Sequence, residues 1–135
     1  MAASRQSIQW LWRILSVIVL VFVGGIHLFL VFDGVGGLLG TLFVLNSVAA
    51  FVLAIAILVF HDRLLQAALA LGLLFLIASL LALWLALTVG LFGIREVWTF
   101  TLVPETVVVE SVGIVILAIA TGVALRDSRQ AQAAG

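Results

Sequence analysis

The feature of this sequence that most limits its fold is the confinement of charge to the margins of long apolar runs. Cutting the chain there leaves Ile14 to Phe32, Leu38 to Phe60, Leu64 to Ile94 and Val107 to Leu125, with one acid, Glu110, inside the last. Each run approaches or exceeds the roughly 20 residues that span a bilayer. With 66% hydrophobic and 9% charged residues the chain cannot cover a water-facing surface, whereas lipid accepts an apolar exterior and requires only that the backbone bond to itself. Helices meet that requirement segment by segment. The expectation is an all-α fold, a bundle of four antiparallel transmembrane helices with spans near 11–32, 38–60, 64–92 and 104–125 and a short disordered tail over 126–135. The third run is too long for a straight span, so it should tilt or end near Gly90 or Gly93.

Arginine placement predicts the orientation. Arg5, Arg13, Arg63, Arg126 and Arg129 fall on one side against Arg95 on the other, which puts both termini in the cytoplasm by the positive-inside rule. Trp10 and Trp12 at the inner boundary and Trp98 at the outer one read as interfacial anchors. A cleaved signal peptide is the competing account of the N-terminus, with Val23, Gly24 and Gly25 as a weak cleavage site. The apolar run continues past that site to Phe32, which suits a span better. Asp33, Gly34, Gly36 and Gly37 predict a tight first turn, and Pro104 with Glu105 predicts the start of the fourth helix, where a carboxylate meets the positive end of the dipole. The segment from Arg95 to Val103 is expected to lie on the membrane surface.

Several functions are excluded or weakened. Six arginines balance six acids, so no field draws nucleic acid, and without cysteine there is no disulfide, thiolate metal site or haem-thioether attachment. Haem held by two histidines needs matching depths, but His61 lies one leaflet away from His27. His61, Asp62 and Arg63 read as a solvated turn. A metal held by His27, Asp33, Glu105 and Glu110 is conceivable as a mixed nitrogen and oxygen set, but the spacing matches no defined site. Asp33 and Glu105 are explained more simply as turn and helix-start residues. No nucleophile elbow, phosphate loop or metalloprotease motif occurs.

What remains is a polar layer. Ionisable groups inside a span cost roughly 2.5–3.5 kcal/mol at the centre, so His27 and Glu110 need a reason to be there. Both fall roughly 7–10 Å below the outer ends of their helices. Asn46 and Thr88 lie within a turn or two of that level, giving each helix one polar residue. Asn46 shares a stripe with Ala49, Ala50, Leu53 and Ala56, Glu110 with Gly113, Leu117, Ala120 and Thr121, and His27 with Gly24, Leu20 and Ser16. Small residues mark close helix approach, so these three should point into the bundle. Imidazole beside carboxylate in low dielectric is a proton-exchanging pair, and the plain alternative is a hydrogen-bonded cluster that holds the helices together.

Gly25 to Ala54, with His27, Leu28, Asp33, Gly34, Leu42, Phe43, Leu45 and Asn46, resembles a stretch of uncharacterised small four-helix actinobacterial membrane proteins. Gly90 to Trp98 with Pro104, Glu105 and Glu110 resembles their second half. Size and helix count are similar to the DoxX-like membrane proteins, some of which assist redox or quinone-linked complexes. The reading favoured here is a non-enzymatic bacterial plasma-membrane protein without a cofactor, packing with itself or as an accessory to a larger complex. One alternative is a small proton-linked carrier using His27, Asn46 and Glu110. Another is an oxidoreductase subunit holding a quinone or lipid, with Trp98 and Phe100 at the mouth.

Overall fold

A computed structural model describes residues 2–135. It contains α1 (Ala2–Phe32), α2 (Gly37–Val59), α3 (Asp62–Thr88) and α4 (Val103–Ala134), and each is long and apolar enough to cross a membrane. Phe22 on α1, Val52 on α2, Leu74 on α3 and Val108 on α4 are all well exposed, as lipid-facing side chains must be in a bundle with an apolar exterior. The expected four-span bundle is therefore the observed fold.

The helix ends follow from local chemistry. Gly34 takes φ +104, its N–H donates to the Val31 carbonyl (3.2 Å) and the Val35 N–H donates to Leu30 (3.0 Å), a Schellman motif that satisfies the last carbonyls of α1. α3 ends at Thr88, short of the 92 predicted from hydropathy. Gly90, at φ +92, bends the chain out of the helix and donates to the Leu85 carbonyl (2.8 Å). Pro104 lies in the first turn of α4 as expected. Two boundaries extend beyond the sequence reading: α1 is helical from Ala2, and α4 continues to Ala134 through the segment 126–135 that was expected to be disordered. An Arg5 to Gln130 hydrogen bond (2.9 Å) joins these extensions, giving the C-terminal turns a partner that span counting does not reveal.

That bond places both chain ends at one end of the bundle, with the α2–α3 connection. This end is called proximal below, and the end carrying the α1–α2 and α3–α4 connections distal. The helices form a ring in chain order, closed by α1 against α4, and the α2–α3 interface is the sparsest. Glycines set the close approaches. A β-carbon on Gly24 would press on Phe51 (3.1 Å) and Ala50 (3.2 Å), one on Gly72 would reach 2.6 Å from Leu117, and one on Gly113 would collide with Val19. Around these seams lie Leu20, Val23, Ile57, Leu76 and Leu117, all inaccessible to solvent.

Arg13 is buried near the proximal end. Its Nε donates to the Ile57 carbonyl (2.5 Å) and its Nη2 to Leu58 (2.6 Å) and Phe60 (2.7 Å), while the guanidinium lies 4.7 Å from the Trp10 ring. These carbonyls belong to the last turn of α2 and the residue after it, where no intrahelical donor remains. Arg13 thus caps a helix other than its own, and Trp10 is its stacking partner.

Candidate functional site

All four helices bring polar residues to the distal half, and those of α2, α3 and α4 are joined by a hydrogen-bonded chain. Asn46 Nδ2 on α2 donates to Ser79 Oγ on α3 (2.8 Å), and Ser79 Oγ donates to Glu110 Oε1 on α4 (2.6 Å). Glu110 is 0% exposed. Seven residues below Val103, it sits about 10 Å down α4, and Asn46 and Ser79, nine residues inside their helix ends, lie about 13 Å deep. Two atoms of this chain have no hydrogen-bond partner among the described residues: Glu110 Oε2 and Asn46 Oδ1.

His27, at the same end of α1, does not join the chain. Its Nδ1 lies 2.8 Å from the Val23 carbonyl, and since a carbonyl only accepts, Nδ1 carries the proton. Phe43 packs edge-on against the imidazole at 5.0 Å. Among the described residues no hydrogen bond links His27 to Glu110, so the paired imidazole and carboxylate weighed from the sequence are neighbours around a space instead of bonded partners.

That space is a cavity of about 400 Å³ between α2 and α3, lined by His27, Asn46, Ser79 and Glu110 and by the apolar Leu42, Phe43, Phe75, Ala82 and Ala86. Leu45 and Ala78, both exposed, also line it, so it opens to the apolar flank of the bundle. The connection over residues 89–102 covers its distal end through Leu91, Phe92, Ile94, Glu96 and Phe100. This connection is anchored by the Glu96 N–H on the Ala86 carbonyl (3.0 Å) and by paired Leu91 and Ile94. Partial burial pushes the Glu96 carboxyl above its ordinary range.

Three of the four residues picked from the sequence line this cavity, and one does not. Thr88 is exposed on the last turn of α3 and, among the described residues, bonds only carbonyls of its own helix, Trp84 at 2.8 Å being the closer. Depth selected it on the expectation of a helix running to 92; because α3 ends at Thr88, the residue sits at the helix end, about 13 Å above Ser79, and misses the layer in level as well as in facing. Ser79 takes its place. The stripe Ser79, Ala82 and Ala86, spaced three and four apart, was the legible signal for it, because small residues mark the inward face. Glu96 carried no such signal, since a connection without helical periodicity does not announce which way its side chains turn. Phe100 enters the cavity wall, whereas half-exposed Trp98 packs edge-on to Trp84 at 6.1 Å.

The acids expected on the outer face do not converge. Asp33 and Glu105 are exposed, and among the described residues no group of three or more His, Cys, Asp or Glu side chains comes together as a metal site requires. Ser47 on α2 supplies a separate polar seam, donating to the Gly24 carbonyl at 2.6 Å.

Fold and site together define a class: a multi-pass α-helical membrane protein with a mostly apolar cavity of ligand size, floored by a buried carboxyl group. No family model matches the sequence, and neither a curated protein nor a solved structure matches it.

Proposed function

We propose that this protein binds a small amphiphilic molecule in the distal cavity and works as a small carrier in a bacterial plasma membrane, with both termini in the cytoplasm and the cavity in the outer half. The observation that supports this reading is Glu110 Oε2. A carboxyl group kept only as a tie between helices has its oxygens taken up by neighbouring donors, because an unpartnered buried polar atom costs about 1–3 kcal/mol. Here one oxygen is tied and the other, with Asn46 Oδ1, is left without a protein partner beside a space large enough for a ligand. His27, Glu96 and Glu110 are the titratable groups of the wall, so a proton could be exchanged there as the ligand enters or leaves.

A hydrophobic carbodiimide tests access to the site. Protein in membranes should gain one adduct, mapped to Glu110 by mass spectrometry, and Glu110→Gln should gain none. A Glu110 that stays unlabelled while exposed Glu105 reacts would remove the proposal.

A second reading is favoured by the hydrogen-bonded chain itself, which ties α2, α3 and α4: the protein packs as a structural or accessory subunit of a larger membrane complex. It requires that Asn46→Ala, His27→Ala and Glu110→Gln each lower thermal stability in detergent. Three variants as stable as the wild type would leave the cluster with no structural role.

A further inference from the structure

Resting on the reading of the cavity as a ligand site, we infer that its occupant is a hydrophobic organic cation with a single, sterically shielded positive charge. The polarity of the unpartnered atoms carries this. Both Glu110 Oε2 and Asn46 Oδ1 are oxygens that attract positive charge, and neither has a protein donor. The acids of the wall are Glu110 at the floor and Glu96 in the covering connection, and no arginine is among the lining residues. His27 is the one basic group there, and its Nδ1–H is committed to the Val23 carbonyl. An anion would therefore meet two carboxyl groups and find no free guanidinium to hold it. A neutral apolar guest would cover the two oxygens without satisfying them.

The rest of the wall fits the other part of such a molecule. Phe43, Phe75, Phe92 and Phe100 contribute aromatic rings, whose faces attract cations by an amount that grows as the cation sheds water. A volume of about 400 Å³ lies in the range of sites for drug-sized molecules, about 300–1,000 Å³. A compact ammonium ion or a metal cation would leave most of that apolar volume unfilled, whereas aryl or alkyl groups around a central charge fill it. The flank between α2 and α3, where Leu45 and Ala78 are exposed, gives such a molecule entry from the lipid, where hydrophobic cations concentrate.

Two probes of one shape and opposite charge test the inference: tetraphenylphosphonium and tetraphenylborate, titrated against the full chain in nanodiscs, with empty nanodiscs as the blank for partitioning. The phosphonium should bind saturably and shield Glu110 from the carbodiimide, and the borate should do neither. Glu110→Gln should weaken phosphonium binding about tenfold or more, as removal of one charge in a partly desolvated site predicts. Glu96→Gln, in the covering connection, should weaken it less while leaving Glu110 reactive, which serves as the check that the cavity is intact. Equal binding of the two ions, or phosphonium binding unchanged in Glu110→Gln, overturns the inference. A carbodiimide that labels Glu110 with no protection by phosphonium also overturns it while sparing the ligand-site reading, whereas failure to label Glu110 removes that reading as well.

Discussion

The proximal and distal halves of this bundle use the same kinds of residue to opposite ends. In the proximal half a buried arginine finds three carbonyls, and Gly72, with no side chain to hold them off, lets Leu20, Ile57 and Leu117 pack out of reach of solvent. In the distal half a buried glutamate finds one hydroxyl, and α2 and α3 stand apart around a cavity. Membrane helices gain no hydrophobic drive from meeting each other, so close approach depends on small residues and on satisfied polar groups. Where both are present the bundle closes. Where the polar groups are only half satisfied it stays open, and that is where a ligand can act.

The contrast can be broken most severely at Arg13. Arg13→Met should cost about 2–4 kcal/mol in reversible unfolding, since it leaves the α2 terminal carbonyls without donors, and Arg13→Lys should restore only part, lacking the planar fork. A loss under 1 kcal/mol by the same assay would mean that lipid headgroups or water replace the guanidinium. Next is Gly113→Ala, whose new methyl must displace Val19 and Leu76; about 1–3 kcal/mol of destabilisation is expected from overpacking. An unchanged melting curve would show that the seam yields.

Smaller effects should separate the satisfied seams from the half-satisfied chain. Ser47→Ala removes a satisfied bond to Gly24 and should cost about 0.5–1.5 kcal/mol, in line with single hydrogen bonds. Glu110→Gln, in the half-satisfied chain, should change stability by less than about 1 kcal/mol while abolishing carbodiimide labelling. If the order of these two reverses, the distal chain is a structural tie and the contrast fails. The smallest effect concerns Glu96. Its carboxyl is raised by burial, so the folded chain holds that proton more tightly than the unfolded chain does; its contribution to stability is complete in acid and is lost as pH rises through the raised value. Protection of the amides of residues 89–102, taken relative to their intrinsic base-catalysed exchange, should fall as pH rises through that value, and Glu96→Gln should flatten the dependence.

Much of the fold was readable because lipid imposes a simple rule on sequence. Apolar runs between charges marked the four spans, though not the extensions of α1 back to Ala2 and of α4 on to Ala134, and Gly34, Gly90 and Pro104 marked helix ends, since positive φ and a missing N–H are properties of single residues. The site was only partly readable. His27, Asn46 and Glu110 stood out because polar groups in apolar runs are few, and their small-residue stripes gave their facing correctly. Thr88 stood out for the same reason and was misplaced because α3 ends there, at Gly90's turn, instead of running on to 92. Ser79 is too common a residue in membrane helices to draw notice alone.

Sequence alone determined that this chain forms four apolar helices and which of their polar residues have to be hidden, because transfer from water to lipid acts on each segment independently. Tertiary structure alone decided that Arg13 caps another helix, that Ser79 bridges Asn46 to Glu110, and that α2 and α3 separate around a cavity. Those outcomes depend on which side chains from distant segments arrive at the same depth and angle, and helix crossing sets both.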